Sequence, residues 1–374
     1  MALNILIMVY SLSNGGAERV ACSWANGLVR LGHKVSILTN LKDKSYLVDE
    51  RINLIQCKSI LLGKTSLFAK VIRSIINPFI LFYQLLHIYK IKNIDTVINV
   101  LYIRPYTLLI SRLFSRRNFP IIMTDHNVYE RPKEDKFSWR VWRNKFFDNK
   151  FFDIVTVLTK RDKEILDKKN FSNIEVLYNP LFLTPVSKVP IKNNAILAVG
   201  RIDVWRIKGF DLLIRAWDKI SYKYPDWKLK IVGKGSTDSI RYLKSLITNC
   251  QNAIEFCPFN NDIVKEYQDA SVFVLSSRYE GWGLVMIEAM SQGCAVIACD
   301  YKGRQSEAIT DGENGLICET DNVEALANKI SMLIDDTKLR TTLQEHAIKS
   351  VDFYHEDKVA KRLEKIILDC IKND

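Results

Sequence analysis

The stretch Ser276–Asp300, S-S-R-Y-E-G-W-G-L-V-M-I-E-A-M-S-Q-G-C-A-V-I-A-C-D, determines the fold that the sequence predicts. An apolar run over 271–275 leads into it and is typical of a buried strand. Gly281 and Gly283 then permit a tight turn and a close approach of the backbone to a ligand. A helix is predicted over 284–292, and another apolar strand follows it. This strand, turn, helix and strand predict a doubly wound α/β sheet with an anion-binding helix N-terminus.

Two carboxylates frame this unit, Glu280 in the turn and Glu288 on the helix. A carboxylate accepts hydrogen bonds at both oxygens and therefore suits vicinal hydroxyls, although two surface glutamates on an ordinary unit remain the alternative. E-G-W-G-L-V-M-I-E resembles the Glu-x7-Glu signature of retaining GT-B glycosyltransferases of family 4. The resemblance implies that Glu280 binds donor-sugar hydroxyls and Glu288 binds ribose hydroxyls. It also implies that the N–H groups of Gly283 and Leu284 lie near phosphate.

A second motif, G-R-I-D-V-W-R-I-K-G-F-D-L-L-I-R-A-W over 200–217, resembles the G-R…K-G-x-D-L-L-I-x-A-W element of the same family. The resemblance implies that Arg201 and Lys208 hold the donor diphosphate. The usual gap between the two cations is shorter, so Arg206 is the alternative to Lys208. An Arg fork and a second cation neutralise charge on a leaving pyrophosphate. Gly233, in a Gly-Lys-Gly turn, is a further place for close backbone approach.

The loop after the predicted strand at Ala253 contacts the nucleotide base in relatives of this family. By position alone, that resemblance assigns Phe259 to the base.

The N-terminal half opens with a strand over 4–10, a glycine loop and a helix over 20–31. The loop lacks the G-x-G-x-x-G fingerprint, which counts against a nicotinamide enzyme. Gly15 and Gly16 place bare N–H groups at the helix start, where they suit a phosphate or a sugar. G-G-A-E-R resembles the family's N-terminal loop.

His126, in T-D-H-N after a predicted strand, matches a short polar motif of the family. This resemblance implies that His126 contacts the donor sugar.

Charge is unevenly distributed along the 374 residues, whose net charge is +12. Residues 1–185 carry 28 Lys and Arg against 15 Asp and Glu, and the remainder is nearly neutral. Such asymmetry indicates a polyanionic partner, namely nucleic acid, an anionic membrane or a pyrophosphate-linked substrate, or else a merely solvated basic face.

Eight Cys without C-x-x-C and five His count against a structural zinc site. No D-x-D triplet offers metal ligands, so we expect no required metal and no cofactor besides the nucleotide-sugar substrate.

Two basic and apolar segments are ambiguous. Residues 59–92 predict two amphipathic helices separated at Pro78, which either contact a membrane surface or form a core helix pair. Residues 131–150 interleave aromatic and basic side chains, a pattern that suits single-stranded nucleic acid or an interfacial helix. We expect acceptor-side or membrane contact and no nucleic acid. No signal peptide is expected at the N-terminus.

The predicted fold class is α/β of the GT-B type, with two Rossmann-like doubly wound domains facing across a cleft. The predicted divisions are an acceptor-side domain over 1–185, a linker over 186–194 and a nucleotide-sugar domain over 195–353. A final helix over 354–374 is expected to cross back to the first domain.

The resemblance implies a retaining transferase that moves a hexose or N-acetylhexosamine from a nucleotide-diphosphate sugar, with UDP the commonest carrier in the family. The expected acceptor is a polyprenyl-diphosphate-linked glycan of bacterial surface polysaccharide or glycan synthesis. This predicts a cytoplasmic protein, peripheral on the cytoplasmic face of the inner membrane and bound to its anionic surface. The alternatives are a GT-B sugar-nucleotide 2-epimerase and a family 4 transferase with a soluble acceptor. A nucleic-acid-binding protein would have no need for the paired glutamates.

Overall fold

The computed structural model describes residues 2–12, 15–40, 46–58, 67–101, 104–126, 128–130, 148–249, 253–258 and 263–373. The chain divides into two compact units. The first unit comprises Met1–Pro180 and Glu356–Asp374, and the second comprises Leu181–His355.

The first unit is built on a parallel sheet because its strands are short apolar runs joined by long connections. The order of the described strands is β3-β2-β1-β4-β5-β6-β7. Most of their side chains are buried on both faces, and edge strand β3 is the more exposed exception. The strands are β1 Asn4–Met8, β2 Lys34–Thr39, β3 Asn53–Gln56, β4 Thr96–Val100, β5 Ile121–Thr124, β6 Ile154–Val157 and β7 Ile174–Val176.

The described helices of this unit pack against that sheet or against one another. They are α1 Gly16–Arg30, α2 Leu67–Lys92, α3 Pro105–Ser115, α4 Lys160–Asp167 and, from the end of the chain, α12 Glu356–Asn373. Helix α12 packs against α1, and Arg30 pairs there with Glu356 and Asp357. The His33 ring lies within 2.9 Å of Glu364 on the same helix.

Helix α2 corrects the expectation of a break at Pro78, since the proline lies inside one continuous helix of 26 residues. A proline removes one hydrogen bond and crowds the preceding turn. The buried side chains of Leu81, Leu85 and Ile88 anchor the part that follows. The remainder of the ambiguous segment, 59–66, lies outside the described residues, as does 131–147. Among the described helices, none is both long enough and apolar enough to cross a membrane.

The second unit has its own parallel sheet, with the described strands in the order β10-β9-β8-β11-β12-β13. The strands are β8 Asn193–Val199, β9 Lys228–Val232, β10 Ile254–Cys257, β11 Ala270–Leu275, β12 Ala295–Asp300 and β13 Leu316–Glu319. The strand order reverses between β8 and β11, which are hydrogen-bonded neighbours although far apart in sequence. In open α/β sheets, ligands bind beyond the carboxyl ends of the strands at such a reversal.

The described helices of the second unit cover this sheet. They are α5 Trp205–Lys208, α6 Phe210–Ile220, α7 Thr237–Ser245, α8 Ile263–Asp269, α9 Leu284–Ser291, α10 Val323–Asp335 and α11 Thr337–Ser350. A 3-10 turn at Gln305–Glu307 follows β12. Asp300 there accepts hydrogen bonds from Gln305 N and from Ser306, and the chain turns around that carboxylate.

Two doubly wound parallel sheets with helices between their strands confirm the α/β fold class. The first sheet also reverses, between β1 and β4, and the loop that holds Gly15 follows β1. Each unit therefore carries one topological reversal with a glycine-containing loop beside it.

Candidate functional site

The turn between β11 and α9 is shaped by Gly283, which has a φ of +85° and immediately precedes α9. A Cβ atom at this position would lie 2.9 Å from Leu275 Cδ2 and 3.6 Å from Glu280 Cγ. Only glycine combines this backbone conformation with so little space. The N–H groups of Leu284 and Val285 open α9 and have no intrahelical acceptor, whereas Met286 N–H donates to the Gly283 carbonyl oxygen at 2.8 Å. The helix dipole favours an anion at this end. The turn can thus present backbone N–H groups to a phosphate.

Glu280 and Lys208 form an ion pair at this turn. Lys208 Nζ donates to Glu280 Oε2 at 2.6 Å, and Ser277 Oγ donates to the same oxygen at 3.3 Å. Both charged side chains are about one-fifth exposed, so they are held by the protein yet open to a ligand. The pair joins the two motifs on either side of the strand-order reversal, 72 residues apart in sequence.

Glu288 lies on α9 and is buried. Its Oε2 accepts a hydrogen bond from the hydroxyl of Tyr267, a fully buried side chain on α8, at 3.0 Å. This phenol orients the carboxylate and compensates for part of its burial. Sequence reasoning did not identify Tyr267, because nothing in a spacing of 21 residues indicates that the two side chains meet.

The other predicted diphosphate ligands follow β8 and β9 at the same sheet edge. Arg201 is exposed directly after β8, and Arg206 is exposed on α5. Gly233 is packed so closely that a Cβ would lie 1.8 Å from the carbonyl oxygen of Gly200. A larger residue at 233 would push the loops after β8 and β9 apart.

A cavity of about 380 Å³ opens beside these loops. Its walls combine backbone at the glycine turn with apolar side chains, and its lining consists of Ile202, Gly233, Lys234, Gly235, Ile240, Phe256, Cys257 and Pro258. A flat aromatic ring fits such a lining chemically. Phe259, predicted to contact the base, lies outside the described residues, directly after this lining.

His126, Gly15 and Gly16 lie in the first unit, beyond the carboxyl ends of β5 and β1. The His126 ring lies 5.8 Å from the Trp24 ring, and Thr124 Oγ1 is 3.4 Å from its Nε2. Burial lowers the pKa of His126 to about 4, although Asp125 and a hydrogen bond with Asn179 oppose the shift. The ring is therefore neutral near pH 7, with one nitrogen that donates and one that accepts, as a sugar hydroxyl requires.

The two glycines of this loop lie at the N-terminus of α1. Gly15 precedes α1 in an extended conformation, and Gly16 is the first residue of that helix. The hydroxyl of Tyr46 donates to the carbonyl oxygen of Gly15 at 3.1 Å.

The structure thus brings Lys208 and Glu280 into contact in the turn that Gly283 shapes, and it places Glu288 one helical turn further along, on α9. Arg201, Arg206 and Gly233 lie at the same sheet edge, in the segments that follow β8 and β9. The first-unit residues form a separate set.

Comparison with known proteins agrees with this architecture. The family model described as Glycosyl transferases group 1 matches residues 184–350, and the one described as Glycosyltransferase Family 4 matches residues 14–183. An uncharacterized glycosyltransferase of Haemophilus influenzae is 27% identical over 95% of this chain and 97% of its own length. A Campylobacter jejuni N-acetylgalactosaminyltransferase that acts on a diphospho-undecaprenol-linked saccharide is 27% identical over 97% of this chain and 98% of its own length.

Solved structures show the same fold at lower identity. Sucrose-phosphate synthase from Thermosynechococcus elongatus superimposes with a TM-score of 0.80 at 18% identity, with both chains covered completely. Anabaena HepE in complex with UDP and glucose gives a TM-score of 0.74 at 18% identity, over 98% of this chain and all of its own. The two family models together span almost the whole chain, so the protein is a glycosyltransferase enzyme and belongs to the GT-B glycosyltransferases of family 4.

Proposed function

We propose that this protein transfers a hexose or N-acetylhexosamine from a UDP-sugar, with retention at the anomeric carbon, to a polyprenyl-diphosphate-linked glycan. The observation that carries the proposal is the pairing of Lys208 with Glu280 at the N-terminus of α9, beside the strand-order reversal. A cation, a carboxylate and free helix N–H groups at one place match the phosphate and the hydroxyls of a nucleotide sugar.

Negative charge develops on the diphosphate as it leaves, and this charge raises the activation barrier to sugar transfer. The site can lower that barrier by stabilising the charge. Lys208, Arg201 and the first N–H groups of α9 are proposed to take up that charge as the glycosidic bond breaks. Glu280 holds donor-sugar hydroxyls, and Glu288 holds the ribose hydroxyls. The departing phosphate oxygen accepts the proton of the acceptor hydroxyl, so no protein base is required.

The cavity beside Gly233 supports a nucleotide donor because it adjoins the proposed phosphate site and has an apolar lining. The choice of UDP is supported by HepE, which was solved with UDP and glucose. In the first unit, neutral His126 and the Gly15–Gly16 loop are proposed to bind hydroxyls of the transferred sugar.

The acceptor proposal is supported by relatives from Campylobacter jejuni whose names specify diphospho-undecaprenol or PP-undecaprenol saccharides. A lipid-linked acceptor requires the enzyme to work at a membrane surface. We place it on the cytoplasmic face, where nucleotide sugars are made.

We expect UDP-sugars to raise the thermal unfolding midpoint more than GDP- or ADP-sugars do, since a ligand that binds the native state stabilises it more when its affinity is higher. The best donor should then support transfer to a synthetic undecaprenyl-diphosphate saccharide in detergent, and NMR should show the anomeric configuration of the donor in the product. A GDP- or ADP-sugar preference, or an inverted product, would contradict the proposal. Release of free sugar from the donor at the same rate with and without an acceptor would indicate the 2-epimerase alternative. Transfer to a free oligosaccharide but not to the lipid-linked saccharide would indicate a soluble acceptor.

The membrane contact is proposed on an apolar surface formed by α2 and α3. Its exposed side chains are Ile75, Ile76, Phe79, Tyr83, Ile110, Leu113 and Phe114. The Phe82 and Phe114 rings meet edge to face at 5.6 Å and join the two helices. Exposed Arg116 and Lys90 flank it. An apolar patch with a basic rim matches the headgroup boundary of an anionic bilayer.

Replacing Phe79 and Leu113 together by serine is expected to lower binding to anionic vesicles about tenfold or more, because each side chain loses burial in the interface. Their exposed fractions are 64% and 76%, so the fold should be unaffected. Sedimentation with phosphatidylglycerol–phosphatidylcholine vesicles at 50 mM salt measures this. Ile191→Ser, at an exposed position in the second unit, is the matched control. Equal binding of the wild type to neutral and anionic vesicles would refute the membrane proposal.

A further inference from the structure

The ion pair between Lys208 and Glu280 depends on two segments that are fastened to each other. The first is α5 with Gly209, and the second is the loop over 276–283. The hydroxyl of Ser276 donates to the carbonyl oxygen of Lys208 at 2.9 Å, and the backbone N–H of Arg278 donates to the carbonyl oxygen of Ile207 at 2.8 Å. The first bond ends on Lys208 itself, and the second joins residues one position from Lys208 and two positions from Glu280.

The Arg278 guanidinium makes the strongest set of these contacts. Its Nη1 and Nη2 donate to the two carboxylate oxygens of Asp211 at 2.7 and 2.8 Å. Nη1 also donates to the carbonyl oxygen of Arg206 at 2.7 Å, and Nε donates to Asp321 at 2.6 Å. The Arg278 and Asp211 side chains are only 20% and 12% exposed. A planar fork with fixed donors is the group that can hold a carboxylate and a carbonyl at once.

We propose that Arg278 is a positioning residue for glycosyl transfer, which rests on the function proposed above. Arg278 lies two residues before Glu280, and the carbonyl that it holds lies two residues before Lys208. Its guanidinium therefore fixes both segments at short range and sets the 2.6 Å separation of Lys208 Nζ and Glu280 Oε2. It acts through that pair and makes no contact with the substrate itself.

The consequence is a selective loss of turnover when the fork is removed. Arg278→Gln is expected to lower kcat about 10- to 100-fold, since a misplacement of about 1 Å at reacting groups costs about 100-fold. The Kd for UDP should change less than about threefold, because the helix N-terminus and the cavity remain. Arg278→Lys should resemble Arg278→Gln, since an ammonium cannot hold Asp211, Asp321 and the Arg206 carbonyl together.

The experiment measures release of UDP from UDP-N-acetylgalactosamine or UDP-glucose, whichever turns over, together with UDP affinity and urea unfolding. Arg241→Gln is the matched control, because it removes one Arg–Asp pair at a site where the arginine is 72% exposed. If Arg278→Gln does not fold, Asp321→Asn removes only the negative charge that faces Nε and should give a smaller fall in kcat.

A double-variant test separates positioning from general destabilisation. In a Lys208→Ala background, Arg278→Gln should lower kcat little further, because residues that act as a unit are non-additive. The same fold-loss in both backgrounds, or a folded Arg278→Gln with unchanged kcat, would overturn the inference while Lys208→Ala still supports the proposed function. Undiminished turnover in Lys208→Ala alone would overturn the proposed function and this inference with it.

Discussion

Replacing Lys208 by alanine is expected to lower kcat/KM for the nucleotide-sugar donor about 100- to 1,000-fold. The ammonium group lies 2.6 Å from Glu280 Oε2 at the start of α9, where the leaving diphosphate would gain negative charge. A fixed cation at such a place stabilises the transition state more than the bound substrate, and its removal has a cost of this order. Steady-state UDP release measures the effect, and the loss should appear mainly in kcat.

Two further substitutions are compared with Lys208→Ala. Lys228→Ala removes a Lys–Glu pair of similar length from the exposed surface of the same unit, and it should leave kcat/KM unchanged. Arg206→Ala tests the alternative that the motif leaves open, and it should have a smaller effect, because Lys208 is the cation that pairs with Glu280. A larger loss from Arg206→Ala than from Lys208→Ala would reassign the second diphosphate cation.

The two strands that flank the Glu280 turn, β11 and β12, could be predicted well because they are nearly continuous apolar runs bounded by glycine or polar residues. The run over 271–275 lies within β11, Ala270–Leu275, and the helix after Gly283 begins where expected, at Leu284. Strand β3 was not predicted. It is a four-residue edge strand, Asn53–Gln56, whose pairing with β2 depends on backbone hydrogen bonds and carries little apolar signal.

The site could be predicted only in part, because motifs identify residues but not their contacts. The sequence indicated Glu280 and Lys208 separately, and the fold shows that they form an ion pair. Arg278 stands inside the quoted stretch, but its partner Asp211 is 67 residues away, and no spacing relates the two. Contacts across a topological reversal follow from sheet order, which a linear pattern does not contain.

A second tight steric constraint near the site lies at Gly209, between Lys208 and α6. Its φ is +64°, and an added Cβ would lie 1.9 Å from the carbonyl oxygen of Ser276. Gly209→Ala is therefore expected to destabilise the second unit by about 2–5 kcal/mol, from left-handed backbone strain plus overpacking against backbone that cannot rotate away. Urea unfolding measures the loss as a lower midpoint with little change in slope.

Gly303→Ala separates the two contributions to the free-energy cost of Gly209→Ala, which are backbone strain and overpacking. Gly303 has a φ of +82° with nothing within 4 Å of an added Cβ, so this variant should lose only the backbone share, about 1–2 kcal/mol. The difference between the two variants then measures the collision with Ser276. Any relaxation at Gly209 must move Ser276 away from the Lys208 carbonyl that its hydroxyl binds, so UDP release by the folded fraction should also fall. Equal stability of the two alanine variants, with unchanged turnover, would show that the two segments can separate freely. In that case the closeness of Lys208 and Glu280 would have to be set by the bound nucleotide sugar instead of by the fold.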